Sequence, residues 1–154
     1  MEKRTNFFVK GPEALKPLFA MGNYLKNSRI EIPLQLLIEI RVSQINGCAY
    51  CLDMHWKDAR AIGETEQRLY GLGVWQESPY YTDRERAALL WAEAVTACKV
   101  PDAVYKKVSQ HFSEEELIDL TMAVGTINTW NRLAVGFRLA HPPLPASQAV
   151  DVAA

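Results

Sequence analysis

The sequence predicts an all-α fold, and three observations carry the prediction. No segment sustains two-residue alternation of apolar and polar residues between turn signals. Prolines stand where helices open, at Pro12 and Pro33. Two capping boxes, Thr82-Asp83-Arg84-Glu85 and Ser113-Glu114-Glu115-Glu116, mark further helix starts, because a hydroxyl and a carboxylate three residues apart satisfy each other's backbone N–H groups.

Taken in order, residues 5–10 read as an arm. Pro12, following Gly11, opens a helix to about Asn27, with Leu15, Leu18, Phe19, Tyr24 and Leu25 as candidate buried positions. Pro33 opens a second helix whose run from Leu34 to Val42 is apolar on most sides and therefore largely buried; it ends near Asn46-Gly47. A third spans about Cys48 to Ile62, with Gly63 as the residue that closes it. A short helix over 65–72 and an irregular link containing Trp75, Pro79, Tyr80 and Tyr81 lead to the first capping box. The helix there offers Ala87, Ala88, Leu90, Trp91, Ala94 and Val95 for packing. Helices over about 102–112, 117–126 and 129–139 follow. Residues 1–141 are thus expected to form one domain, and the Pro- and Ala-rich residues 142–154 a flexible tail.

An offset of 80 residues aligns Leu36-Leu37-Ile38-Glu39-Ile40 with Glu116-Leu117-Ile118-Asp119-Leu120 and Tyr50 with Trp130. This predicts an internal helix-pair pseudo-repeat. Cys48 and Cys51 of the first copy stand opposite Asn128 and Asn131 of the second.

Composition narrows the function. The chain has 154 residues, 49% hydrophobic and 23% charged, with a formal net charge of -1. Such a balance disfavours nucleic acid or an anionic membrane as partner. No apolar run approaches the roughly 18 residues of a spanning helix, and the N-terminus lacks a signal-peptide core, so a cytoplasmic location is expected. Three cysteines are too few and too odd for a disulfide scaffold, which directs attention to the close pair.

That pair lies in Ser43-Gln44-Ile45-Asn46-Gly47-Cys48-Ala49-Tyr50-Cys51, with His55 completing a C-x-x-C-x-x-x-H motif. On a helix starting at Gly47 or Cys48, the two thiols and the imidazole share one face. Unpaired N–H groups and the dipole in a helix's first turn favour the thiolate, the reactive form of cysteine. Two cysteines three apart can close a disulfide, and His55, four residues after Cys51, can take its proton. Zinc would need a fourth ligand that no second Cys/His cluster supplies. A thioredoxin-like setting would need a βαβ pattern. Cys98 lacks a nearby thiol or histidine and reads as structural, whereas His111 and His141 read as surface or loop residues. Tyr50, Trp56, Trp75, Tyr80, Tyr81 and Trp130 read as core or subunit-contact aromatics, some of them available to line an apolar pocket.

The motif, with Glu85-Arg86-Ala87-Ala88-Leu89 and Thr126-Ile127-Asn128-Thr129-Trp130-Asn131-Arg132-Leu133, resembles the AhpD-like alkylhydroperoxidase branch of the carboxymuconolactone decarboxylase superfamily over residues 12–140. The resemblance implies an all-helical fold forming homo-oligomers, trimers or hexamers, and an antioxidant peroxidase cycle without metal, flavin or haem. In that cycle Cys51 attacks a hydroperoxide, Cys48 condenses with the resulting sulfenic acid, and a dithiol or thioredoxin-like partner reduces the disulfide. His55 would relay the proton, assisted by a glutamate. The family's position for that glutamate, twelve before Cys48, is Leu36 in this chain. Glu39, one helical turn on, and Glu116, at the equivalent place in the second half-repeat, are the two candidates to replace it. A cofactor-free lactone decarboxylase and a non-catalytic redox-sensing module are the alternative functions. The intact cysteine pair argues against the first.

Overall fold

A computed structural model describes residues 4–140 as eight α-helices and one 3-10 turn, with no strand among them. The helices are α1 (Phe7–Lys10), α2 (Pro12–Lys26), α3 (Ile32–Asn46), α4 (Ala49–Ala61), α5 (Glu66–Gly71), α6 (Asp83–Thr96), α7 (Asp102–Val108) and α8 (Glu114–Gly136); the 3-10 turn is Leu72–Val74. The expected all-α class is observed. His141 and the expected tail over 142–154 lie outside the described residues.

Helix α3 is the axis of the fold and packs against α4, α6 and α8. Its sequence explains why: Leu34, Leu36, Leu37, Ile38, Ile40 and Val42 point in all directions and are all buried. Ile38 and Val42 belong to a cluster shared with Ala88, Ala92, Leu120 and Val124 of α6 and α8. Leu37 and Ile40 belong to a second one with Leu72, Trp75, Tyr81 and Leu89. A helix so enclosed is held rigidly on both sides, which suits it to carry functional side chains.

Both capping boxes form, with Thr82 and Glu85 at the start of α6 and Ser113 and Glu116 at the start of α8. Gly63 closes α4 with φ 96°, in a left-handed position available to glycine.

Three expectations are corrected. Residues 5–10 are not simply an arm, because Asn6 accepts the Phe8 N–H at 3.0 Å and starts the one-turn α1. Phe7 is buried against Phe137, and Arg4 reaches the Gly136 carbonyl at 2.6 Å, so this segment is fastened to the end of α8. On α2, Leu15 and Leu25 are buried, Leu18 is half-buried, and Phe19 and Tyr24 remain exposed.

The third correction concerns the second half-repeat, where one helix, α8, replaces the two expected over 117–126 and 129–139. Gly47 is the cause of the asymmetry. It has φ 66°, its N–H and that of Cys48 return to Gln44 and Ser43 carbonyls, and α3 ends there. The position 80 residues on is Ile127, a β-branched residue disfavoured in the left-handed region, so the helix continues. No atom lies within 4 Å of a Cβ placed on Gly47. Gly47→Ala is therefore expected to cost conformational strain alone, about 1–2 kcal/mol, seen as a melting temperature lower by roughly 2–8 °C.

Candidate active site

The break at Gly47 makes Cys48 serve two helices. Its N–H donates to Ser43 at the end of α3 at 3.0 Å, and its Sγ accepts the Cys51 N–H at 3.3 Å as the N-cap of α4. Cys51 thus falls in the first turn of α4, where unpaired N–H groups and the helix dipole favour negative charge on sulfur. Cys48 and Cys51 are joined as a disulfide with Cα atoms 5.4 Å apart, and both residues are 2% exposed.

His55 follows Cys51 by one turn of α4, and Glu39 faces it from α3. The histidine Nδ1 lies 3.1 Å from Glu39 Oε2, with the side chains 12% and 21% exposed. The pair is within ion-pair distance, but its angle falls outside hydrogen-bond geometry, leaving Nδ1 a buried nitrogen without a hydrogen-bond partner. Glu39 does not join an arginine of its own helix: Arg41 is taken by Glu93, which also accepts the Trp75 indole N–H at 2.8 Å. Leu36 and Glu39, one turn apart, line the same cavity.

Glu116 is placed elsewhere. Its carboxylate accepts the Ser113 N–H at 2.8 Å and pairs with Arg84 at 2.7 Å. The Arg84 guanidinium, above all, holds this carboxyl below the ordinary carboxylate range. It caps α8 and is fixed as an anion. Cys98 is corrected as well: it is an exposed free thiol with φ 52°, just beyond α6. Its N–H and that of Lys99 return to Val95 and Ala94 carbonyls, so its backbone closes the helix while its side chain supports nothing in the core.

Cys51, His55 and Glu39 meet at a cavity of about 590 Å³. Cys48 is not among its lining residues. Its walls come from Leu25 of α2, Ile32 and Leu36 of α3, Met54 and Ile62 at α4, Ile127 and Trp130 of α8, and the aromatic rings Phe7, Phe8 and Phe19. The six aromatics picked out by sequence divide accordingly: Tyr50 and Trp130 line the cavity, Trp75 and Tyr81 are core, Trp56 is half-buried against that core, and Tyr80 is exposed. Among the described residues, no three His, Cys, Asp or Glu side chains are arranged to hold a metal ion. No helix among them is long and apolar enough to cross a membrane.

A polar network behind the motif was not anticipated. Asn46, the residue before Gly47, donates to Asn128 Oδ1 at 3.0 Å and Asn131 Oδ1 at 2.9 Å, and Asn131 donates to Ser43 Oγ at 3.1 Å. Asn128 and Asn131, the half-repeat counterparts of the two cysteines, therefore clamp the end of α3 onto α8. The signal in the sequence is two amides three residues apart, on one helix face. Asn131 is 1% exposed, so Asn131→Ala leaves buried groups short of partners. Its expected cost is about 1–3 kcal/mol in urea unfolding.

An all-helical chain carrying paired thiols at the start of a helix defines a recognisable class, and comparison with known proteins places it. Residues 12–94 match the carboxymuconolactone decarboxylase family. The chain belongs to that family, in its AhpD-like branch. It is 44% identical over 138 residues to the uncharacterized protein YdfG of Bacillus subtilis (strain 168), covering 88% of this chain and 94% of YdfG. It is similar to the crystal structure of a protein of unknown function from Agrobacterium tumefaciens, named there as a candidate antioxidant defence protein AhpD. That match has a TM-score of 0.89 and 46% identity, over 93% of this chain and all of the other. The debrominase Bmp8, solved with 2,3,4-tribromopyrrole, has a TM-score of 0.77 over 85% of this chain and 72% of its own; at 19% identity this is likeness of fold alone.

Proposed function

We propose that the protein is a thiol peroxidase that reduces organic hydroperoxides, with Cys51 as the attacking thiol, Cys48 as the resolving thiol and His55 as proton relay. The observation that carries the reading is that Cys51, and not Cys48, lines the cavity together with His55. Family membership and the paired cysteines support it.

In the reduced enzyme the Cys51 thiol passes its proton to His55, and the thiolate attacks the terminal oxygen of the hydroperoxide. The O–O bond breaks, an S–O bond forms, and the departing alkoxide takes the proton from His55 to leave as an alcohol. Cys48 then displaces the oxygen of the Cys51 sulfenic acid; the S–S bond forms and water departs. Two electrons have passed from the thiols to the peroxide. A dithiol or thioredoxin-like reductant returns them by exchange. Glu39 on His55 Nδ1 would leave the other ring nitrogen for Cys51 and stabilise the protonated ring. Its present off-line geometry is compatible with that role, since catalytic hydrogen bonds often tighten only when substrate is bound. Subunits are proposed to associate as homo-oligomers, and the cytoplasm, a reducing compartment, is the proposed location.

The fold also accommodates a debrominase, so the test must read the chemistry directly. Reduced protein mixed with an organic hydroperoxide in stopped flow should form the Cys48–Cys51 disulfide, located by mass spectrometry, with one alcohol released per disulfide. Oxidation no faster than that of an ordinary free thiol would refute the peroxidase reading.

A further inference from the structure

The thiol and the histidine line a cavity far larger than a hydroperoxyl group needs. At about 590 Å³ it is of the size that holds a drug-sized ligand. Phe8, Phe19 and Trp130 stand together on its wall: the Trp130 ring centroid is 5.5 Å from that of Phe19 and 6.4 Å from that of Phe8. Phe8 is 41% and Phe19 52% exposed, a costly arrangement for two large apolar side chains with no substrate to cover. These rings come from α1, α2 and α8. Phe8 precedes and Trp130 follows the segment 12–94 that matches the family, so two of these three rings come from chain outside that segment. Arg4 and Phe7 fasten α1 in place against Gly136 and Phe137, which gives Phe8 a fixed position.

Resting on the assignment of Cys51 as the peroxide-reducing thiol, we propose that Phe8, Phe19 and Trp130 are specificity-determining residues. They select hydroperoxides with a bulky apolar substituent, aryl or branched alkyl, over hydrogen peroxide. The substituent packs against the three rings, and the hydroperoxyl group is thereby delivered to Cys51. Hydrogen peroxide has no apolar surface to bury and gains nothing from the wall. The reaction is otherwise that given above, with the hydroperoxide reduced to its alcohol and the two thiols oxidised to the disulfide.

The experiment is single-turnover oxidation of the reduced full-length protein by cumene hydroperoxide and by hydrogen peroxide, read as the ratio of their second-order rate constants. The native ratio should exceed 10, and Phe8→Ala combined with Phe19→Ala should lower it at least tenfold. Both rings are exposed, so this variant should fold, which circular dichroism checks; Trp130→Leu provides an independent second variant. An unchanged ratio in the folded variants overturns the proposal. So does a changed oligomeric mass with the ratio intact, which would assign the rings to a subunit contact. If the native protein is oxidised by neither peroxide, the peroxidase reading itself fails. Oxidation by both without selectivity removes only the role of the wall.

Discussion

Cys51→Ser is expected to abolish hydroperoxide reduction, while Cys48→Ser should consume one equivalent of peroxide and then stop. The asymmetry follows from how Gly47 ends α3. Cys48 is left at the N-cap of α4, its sulfur turned to the Cys51 N–H, and Cys51 is left in the first turn, on the cavity wall. A peroxide entering the cavity meets the second sulfur and not the first. Without Cys51, no thiolate remains there, because Cys48 does not line the cavity. Without Cys48, the sulfenic acid on Cys51 forms but has no partner within reach. Cys98 is exposed on another element, beyond the end of α6, and is not a substitute. Peroxide consumption together with intact-protein mass distinguishes the outcomes: Cys48→Ser gains one oxygen per chain, trapped with dimedone, and Cys51→Ser gains none. Turnover retained by Cys51→Ser, or a sulfenic acid appearing on Cys48 in that variant, would reverse the assignment.

Much of this site was legible in the sequence because it is local. Cys48, Cys51 and His55 occupy eight residues, and helical spacing with a glycine before them is enough to bring Cys51 and His55 to one wall; Cys48, expected on the same face, is instead the N-cap of α4 and does not line the cavity. The starts of α6 and α8 were legible for the same reason, since a capping box is complete within four residues. What sequence alone could not decide depends on contacts between distant segments. Sequence favours Glu39 over Glu116 as the relay carboxylate only slightly, and the contacts that separate them are long-range: α3 places Glu39 beside His55, while the α8 cap engages Glu116 with Arg84. The amides Asn128 and Asn131 were visible as counterparts of the cysteines, but their bonds to Asn46 and Ser43 span more than eighty residues. The pseudo-repeat misled at one point because alignment reads likeness, whereas a helix break depends on one residue. Gly47 adopts φ 66°, and Ile127 in its place keeps α8 unbroken. The broken copy opens a new helix at Cys48, and the unbroken copy supplies the amides that hold the end of α3 before it.

His55→Gln is expected to slow the first oxidation by about 10²- to 10⁴-fold, the span of a positioned general base. Raising the pH should recover part of the loss, because hydroxide can then deprotonate Cys51 in its place. In the proposed mechanism Glu39 acts on the thiol only through the imidazole. Its carboxylate lies 3.1 Å from Nδ1 of a histidine that has no other partner on that nitrogen. If the pair tightens into a charge-assisted hydrogen bond when substrate binds, that bond is worth about 1.5–3 kcal/mol, so Glu39→Gln should slow the step by roughly 10- to 100-fold, less than loss of the base itself. The double variant separates positioning from independent action. If Glu39 works by orienting His55, then adding Glu39→Gln to His55→Gln costs nothing further, and the single effects fail to add. Additive losses would instead mean that Glu39 touches the reacting atoms, or that its removal loosens α3. Glu116→Gln is the control for the competing assignment. Committed to Arg84 and Ser113, Glu116 should affect unfolding and leave the rate of the first step where it was.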